Sequence, residues 1–129
     1  MLVVIDTNII VSALWSKNGA PAQILSLVIN GRLIPCYDHR IINEYRDVLK
    51  RPKFKFSESE ISFLLDWITD NGYSVVADPI DIEFIDEDDK KFFEVAKFCG
   101  AKLITGNIKH FPEDEAVITV SEFFEKYYK

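Results

Sequence analysis

The sequence contains few of the residues that build disulfide scaffolds and zinc sites. It has two cysteines and two histidines among 129 residues. Cys36 and Cys99 show no metal-ligand spacing, so we expect core thiols in a reducing compartment rather than a disulfide. The chain also has no P-loop, no GxGxxG motif and no Ser-His-Asp arrangement, which argues against the nucleotide-binding and hydrolase classes that use them.

Long apolar runs are missing as well. No stretch approaches the roughly 20 apolar residues that a transmembrane helix needs. The apolar start, residues 1–5, is interrupted by Asp6 and has neither a basic segment nor a small-residue cleavage site, so we expect no signal peptide. The sequence therefore predicts a cytoplasmic protein that does not associate with membranes.

Basic residues are outnumbered by acidic ones, 15 to 21, and the formal net charge is −6. This balance argues against a protein whose whole surface attracts nucleic acid. The excess is local, because seven of the 21 acids lie in the segment Asp78–Asp89, which has no Lys or Arg. The rest of the chain is nearly neutral. An acidic cluster on a neutral body is compatible with a cation site.

Short apolar segments alternate along the chain with segments of helical periodicity. We predict strands at residues 2–5, 33–37, 73–77, 102–105 and 117–118, with helices between them. Capping boxes at Ser57–Glu60 and Thr119–Glu122 begin two of these helices. The alternation predicts one α/β domain over residues 1–129, a three-layer α/β/α sandwich with a mainly parallel central sheet of about four or five strands.

Several acids lie where a parallel sheet would bring them together. Asp6 directly follows the first strand, and Glu44 lies on the polar side of the third helix. Asp88 and Asp89 begin the helix that leads into the fourth strand. Ligands of such sheets bind beyond the carboxyl ends of the strands. Each acid also has a structural interpretation: Asp6 as a helix N-cap, Glu44 as a solvated position, and the Asp pair as partners of a helix dipole.

Acidic side chains that meet at one edge of the sheet would need something to offset their mutual repulsion. Two carboxylates about 4 Å apart repel by about 4 kcal/mol at an effective dielectric constant of about 20, so they must protonate or hold a cation. Oxygen ligands without a His or Cys cluster favour Mg²⁺ or Mn²⁺ over zinc. Such a metal can hold a phosphate oxygen and activate a water for attack on a phosphodiester.

Four segments of the chain resemble PIN-domain ribonucleases, especially the VapC-like toxin components of bacterial toxin–antitoxin modules. They are Val4–Ile10, Glu44 in the third helix, Asp86–Ala96 and Leu103–Asn107, and the likeness extends to Thr119–Phe124. The resemblance implies a three-layer α/β/α fold and endoribonuclease activity that depends on Mg²⁺ or Mn²⁺. It further implies an RNA substrate, a cognate antitoxin protein and a homodimer.

The resemblance also assigns the site. Asp6, Glu44 and Asp89 match the family's catalytic and metal-binding acids; Asp89 is preferred to Asp88 because the family's third acid lies seven residues before an Ala, here Ala96. The weaker candidate ligands are Asp88 and Asn107, and the expected substrate contacts are Thr7, Asn8, Thr105 and Asn107. Many family members have a fourth acid at the position of Asn107. This neutral residue motivates a second hypothesis, a catalytically weak PIN domain that binds RNA or a protein.

A basic segment, Arg40–Lys55, has a net charge of +4. The candidate phosphate contacts in it are Arg40, Arg46, Lys50 and Lys53, although a solvated helix face is an equal interpretation. Phe54 and Phe56 alternate with lysines and either stack on bases or pack onto the domain or a partner. Outside this segment, His110 is a candidate for proton transfer or a phosphate contact, and Trp15 and Trp67 are expected as core or interface anchors.

Two other phosphate-handling classes with a similar sheet are disfavoured. A phospho-acceptor signalling domain needs a pair of acids after the first strand and a Lys after the last one. Here Asp6 is followed by Thr7, and the first Lys after the last strand is Lys126. A phosphohydrolase with an Asp nucleophile needs a second Asp where this chain has Asn8.

Overall fold

The computed structural model describes residues 1–128, in which five strands alternate with six α-helices. The strands are β1 (Leu2–Ile5), β2 (Ile34–Tyr37), β3 (Tyr73–Ser74), β4 (Lys102–Ile104) and β5 (Val117–Ile118). The helices are α1 (Thr7–Trp15), α2 (Ala20–Ile29), α3 (His39–Leu49), α4 (Glu58–Asn71), α5 (Lys90–Cys99) and α6 (Val120–Tyr127). Short 3-10 turns occupy Pro52–Phe54, Glu87–Asp89 and Ile108–His110. No helix in residues 1–128 is long and apolar enough to cross a membrane.

The five strands form one parallel sheet in the order β3-β2-β1-β4-β5. The central strand β1 is apolar without interruption because both of its faces are covered, and Val3 and Val4 are fully buried. The chain moves from β1 to β2 and then to β3 toward one edge of the sheet. The connection from β3 to β4 returns past β1 toward the other edge. Right-handed crossovers therefore place helices on both faces. The predicted three-layer α/β/α class is confirmed.

The third strand is shorter than the sequence predicts. Only Tyr73 and Ser74 pair with β2, where residues 73–77 were expected. The backbone N–H of Val75 still donates to the carbonyl of Tyr37, at 2.9 Å. Val76 is then largely exposed, so this edge offers no apolar surface to hold a longer strand.

Helix α4 runs antiparallel to the strands. It begins with the predicted capping box between Ser57 and Glu60 and ends at Gly72. A Cβ atom at Gly72 would lie 2.5 Å from the carbonyl oxygen of Pro35, so only glycine allows the helix end to lie against the start of β2. A 14-residue helix is about 20 Å long. The first turn of α4 therefore lies toward the carboxyl ends of the strands.

The two thiols are free and lie close together in the fold. Cys36 is buried in β2, and Cys99 is half-buried at the end of α5. Burial and, to a smaller extent, the neighbouring Cys99 thiol raise the pKa of the Cys36 thiol to about 12. Both thiols pack with the core, as the sequence predicts.

Candidate functional site

The point where strand order reverses lies between β1 and β4, and Asp6 lies there. Its backbone N–H donates to the carbonyl of Ile104 at 3.0 Å, which continues the pairing of the two strands by one residue. The Thr105 hydroxyl, at the end of β4, donates to Oδ2 of Asp6 at 2.7 Å. Asp6 is only 4% exposed. The sheet topology thus buries a carboxylate at the position where such folds bind ligands.

Asp6 occupies the N-cap position of α1, as the structural interpretation expects, but its side chain makes no capping hydrogen bond. Its carboxylate accepts from the Thr105 hydroxyl instead. Burial raises the pKa of this carboxyl above its ordinary value of 3.8, the hydrogen bond from Thr105 opposes that rise, and the charges of Asp89 and Glu44 add to it. These two acids therefore lie near enough for their charges to act on Asp6.

Glu44 reaches the edge because α3 is strongly amphipathic. Ile41 and Tyr45 are buried on its apolar side, and the Tyr45 hydroxyl donates to the carbonyl of Ile5 at the end of β1. This bond ties the middle of α3 to the strand that precedes Asp6. The Glu44 carboxylate accepts a hydrogen bond from the Thr7 hydroxyl and forms an ion pair with Lys91, with Oε1 and Nζ 2.8 Å apart.

Asp89 lies in the turn that leads into α5. Burial raises the pKa of its carboxyl, the nearby charges of Asp86 and Glu44 raise it further, and contact with His110 opposes the rise. Nδ1 of His110 lies 3.3 Å from Oδ2 of Asp89. Asp88 is exposed, whereas Asp89 is partly buried. The structure therefore brings Asp89, rather than Asp88, toward the other two acids.

The predicted substrate contacts differ in their surroundings. Thr7 and Thr105 are buried and donate to Glu44 and Asp6, so their hydroxyl groups orient the carboxylates. Asn8 is exposed. The backbone N–H of Asn107 donates to the Thr105 hydroxyl at 3.0 Å, which places Asn107 beside the acids.

The predicted basic contacts are only partly available to a substrate. Arg40 forms ion pairs with the buried carboxylates of Asp38 and Glu94, at 2.7 and 2.9 Å. Arg46 donates to the side chain of Asn43. The remaining candidates, Lys50 and Lys53, are exposed. The structure therefore assigns Arg40 a packing role and leaves the end of the segment open to solvent.

Two functional positions were missed from the sequence, Lys91 and Glu94. Lys91 is half-buried between α3 and α5, and Glu94 accepts from Arg40 and from the backbone N–H of Ile80. Asp88, Lys91 and Glu94 follow one another at intervals of three on one helix face. That spacing is the signal in the sequence, but it does not show which neighbouring helix the face would meet.

The charges at this edge fit a divalent cation. The charges of Asp89 and Glu44 act on Asp6 there; Lys91 compensates Glu44, and His110 contacts Asp89. Asp6 is held by the Thr105 hydroxyl. In residues 1–128 no three His, Cys, Asp or Glu side chains form a ready-made metal site. The oxygen donors suit Mg²⁺ or Mn²⁺, and the fit requires Glu44 to exchange the ammonium group of Lys91 for the metal.

A cleft of about 590 Å³ lies along α3 and reaches Arg51 beyond the end of the helix. The other residues of α3 that line it are Arg40, Asn43, Glu44, Asp47 and Val48, and the remaining lining residues are Glu87, Asp88, Lys90, Lys91 and Glu94. The cleft therefore connects Glu44 to the basic residues that follow α3.

Comparison with known proteins agrees with this geometry. A family model described as PIN domain matches residues 2–109. The chain is 34% identical over 108 residues to an uncharacterized protein of Methanocaldococcus jannaschii; the alignment covers 81% of this chain and 70% of that protein. No solved structure matches the chain.

Proposed function

This chain belongs to the PIN domain family, whose members are generally nucleases, and we propose that it is an endoribonuclease that depends on Mg²⁺ or Mn²⁺. The proposal is supported by a buried carboxylate, Asp6, at the switch point of the sheet, on which the charges of Asp89 and Glu44 act. Burial and mutual repulsion raise the pKa of the Asp6 carboxyl, and burial and nearby acidic charges raise that of Asp89. A bound divalent cation would offset the repulsion between the ionised carboxylates.

In the proposed reaction the side chains of the chain hold and orient the participants. Asp6, Glu44 and Asp89 would hold the cation, which when bound would lower the pKa of a coordinated water and offset charge on a phosphodiester. Thr105 and Thr7 each fix one oxygen of Asp6 and Glu44, respectively. Lys91, once separated from Glu44, is placed to neutralise a phosphate oxygen.

A cleavage assay tests this proposal. Purified protein is incubated with labelled single-stranded RNA and Mg²⁺ or Mn²⁺, with and without a chelator. We expect cleavage that the chelator stops, and a fall of at least about 100-fold for Asp6→Asn, since a lost metal ligand removes several kcal/mol of transition-state stabilisation. Asp66→Asn is the matched control because Asp66 is exposed on α4. Equal rates for Asp6→Asn and Asp66→Asn would contradict the proposal.

The finer role that we propose is that of a toxin held in check by an antitoxin, acting as a homodimer. The likeness of four motifs to VapC-like toxins supports it, as does an apolar groove of about 320 Å³ lined by Leu14, Leu25 and Phe63, which suits a protein partner. Expression of the chain should then stop growth of a bacterial host, and Asp6→Asn should not. Light scattering of the purified protein tests the dimer.

The second candidate is a PIN domain that binds RNA with little cleavage. It is favoured by Asn107, which adds no charge beside the acids. It is also favoured by the ion pair of Lys91 with Glu44, which engages the carboxylate that a metal would need. RNA binding without cleavage in either metal would support this candidate. Asn107→Asp should then restore cleavage, and robust turnover by the unaltered protein would rule it out.

A further inference from the structure

We propose that three aromatic side chains, Trp15, Phe54 and Phe56, together with Lys53, form a stacking subsite for the bases of single-stranded RNA. We call this group the aromatic corner. The inference rests on the proposed nuclease function and extends it by naming the conformation of the substrate and the place where it is held.

The rings of the aromatic corner hold one another in place; Trp15 is exposed, and Phe54 and Phe56 are half-buried. Trp15 is 62% exposed, although it is the largest apolar side chain of α1. Its ring meets Phe54 and Phe56 edge to face, with centroids 5.8 and 6.1 Å apart, and those two rings stack at 5.6 Å. Lys55, between them, has a left-handed backbone with φ of 57°. A turn with an unusual backbone thus presents two parallel rings.

Charge favours a nucleic acid as the occupant of this corner. Residues 48–57 contain Lys50, Arg51, Lys53 and Lys55 and no acid, in a chain whose net charge is −6. The ammonium group of Lys53 lies 5.0 Å from the centre of the Phe54 ring. Proteins bind single strands with aromatic side chains that lie among basic ones. The bases stack on the rings, and the phosphates pair with the lysines.

The aromatic corner lies on the same side of the sheet as the acids. Helix α4 ends beside the start of β2, so its first turn, which follows Phe56, lies toward the carboxyl ends of the strands. Lys17, just after α1, forms an ion pair with Glu60 in that first turn, at 3.3 Å. This contact places the end of α1, which includes Trp15, beside the first turn of α4 and therefore toward the carboxyl ends of the strands.

The cleft along α3 leads from Glu44 toward the aromatic corner. It is lined by Glu44 and Lys91 and reaches Arg51, the residue that precedes the turn Pro52–Phe54. Glu44 and Arg51 are seven positions apart, about 10 Å at the rise of a helix. A strand cut at the acids would therefore place a base a few nucleotides away on the rings. A stacked duplex cannot offer its base faces in this way.

Tryptophan fluorescence tests the inference without any cleavage. The chain has two tryptophans, so Trp67→Phe leaves Trp15 as the only one. In a protein that also carries Asp6→Asn, with chelator present, a short oligouridylate or oligoadenylate should quench Trp15 emission saturably. The corresponding RNA duplex should not.

Binding by variants of the aromatic corner completes the test. Trp15→Ala and Phe54→Ala should each weaken single-strand binding by about tenfold or more, measured by fluorescence anisotropy, because stacking on one aromatic side chain contributes about 1–3 kcal/mol. Phe98→Ala is the matched control, because Phe98 is an exposed ring on α5 that lies outside the corner and outside the apolar groove. Circular dichroism checks that each variant is folded.

Each outcome has a defined meaning. Unchanged Trp15 emission while RNA binds, equal affinity of Trp15→Ala and Phe98→Ala, or no RNA binding at all would overturn the inference. So would a Trp15→Ala variant that binds RNA normally but changes its oligomeric state, since the rings would then be a protein interface. Quenching by single strands in a protein that never cleaves RNA would support the subsite and refute only the proposed function.

Discussion

The candidate site has two charged regions. The acidic edge is formed by Asp6, Glu44 and Asp89 and carries negative charge inside the protein, whereas the aromatic corner carries positive charge at the surface. At the edge, carboxylates are drawn into the protein and held by hydroxyl groups and one lysine. At the corner, the lysines and Trp15 are exposed, and Phe54 and Phe56 are half-buried. Buried charges that repel store free energy that a cation can release, whereas solvated charges are screened by water and salt. Under the proposed function, this difference predicts that catalysis and substrate capture are separable.

The largest expected effect separates the two regions directly. Asp89→Asn should lower RNA cleavage by at least about 100-fold, since it removes an acidic ligand, while single-strand affinity measured in chelator stays the same or rises slightly. Phe56→Ala should do the reverse, weakening binding with cleavage retained at saturating RNA. Single-turnover cleavage and anisotropy measure the two quantities. If both variants lowered both quantities equally, the separation would be wrong.

A smaller effect is expected at Lys91, the cation that already compensates the acidic edge. Lys91→Met should bind Mn²⁺ about tenfold more tightly, because Glu44 no longer has to exchange an ammonium group and one repelling charge is gone. Calorimetric titration measures the affinity. Lys97→Met is the control, since Lys97 is on the same helix but pairs with Asp114. Unchanged or weaker Mn²⁺ binding by Lys91→Met would contradict this role.

The smallest effect concerns stability and pH. The pKa of the Asp6 carboxyl is raised in the folded protein, so the folded state holds that proton more tightly than the unfolded chain does. Ionisation of Asp6 therefore destabilises the fold as pH rises through the raised pKa, and the loss is complete near neutral pH. Without metal, Asp6→Asn should raise the melting temperature near neutral pH by about 4 °C, the shift that about 1 kcal/mol produces.

This gain should depend on pH and on metal. The gain should shrink as pH falls toward the ordinary Asp pKa of 3.8, because the side chain at position 6 is then neutral in the unaltered protein as well as in Asp6→Asn. Added Mn²⁺ should reduce the difference, since it stabilises only the form with the acid. A lower melting temperature for Asp6→Asn near neutral pH would show that ionised Asp6 stabilises the fold instead.

Periodicity and strand ends predict most of the architecture from the sequence. The buried apolar run before Asp6 indicates a central parallel strand, and the two capping boxes mark helix starts that the structure confirms. The length of β3 was not predictable, because Val75 and Ala77 pack partly against the core as strand residues would, although only Tyr73 and Ser74 pair with β2. Pairing at a sheet edge depends on contacts distant in sequence.

The acids of the site were predictable because parallel strands end at a common edge. Their partners were not. Whether Arg40 faces RNA or a buried carboxylate depends on Asp38 and on Glu94, which is more than 50 positions away. Lys91 likewise acquires its role only when α5 packs beside α3. Side-chain pairs between helices follow from packing, which local periodicity does not encode.

Titration of Mn²⁺ into the purified protein, followed by calorimetry, tests most directly whether the acidic edge is a cation site. We expect one site that is lost or greatly weakened in Asp6→Asn, Glu44→Gln and Asp89→Asn and retained in Asp66→Asn, with affinity falling as pH is lowered toward the raised pKa values of Asp6 and Asp89. Mn²⁺ binding that is absent from the unaltered protein, or unchanged in all three variants, would contradict the account.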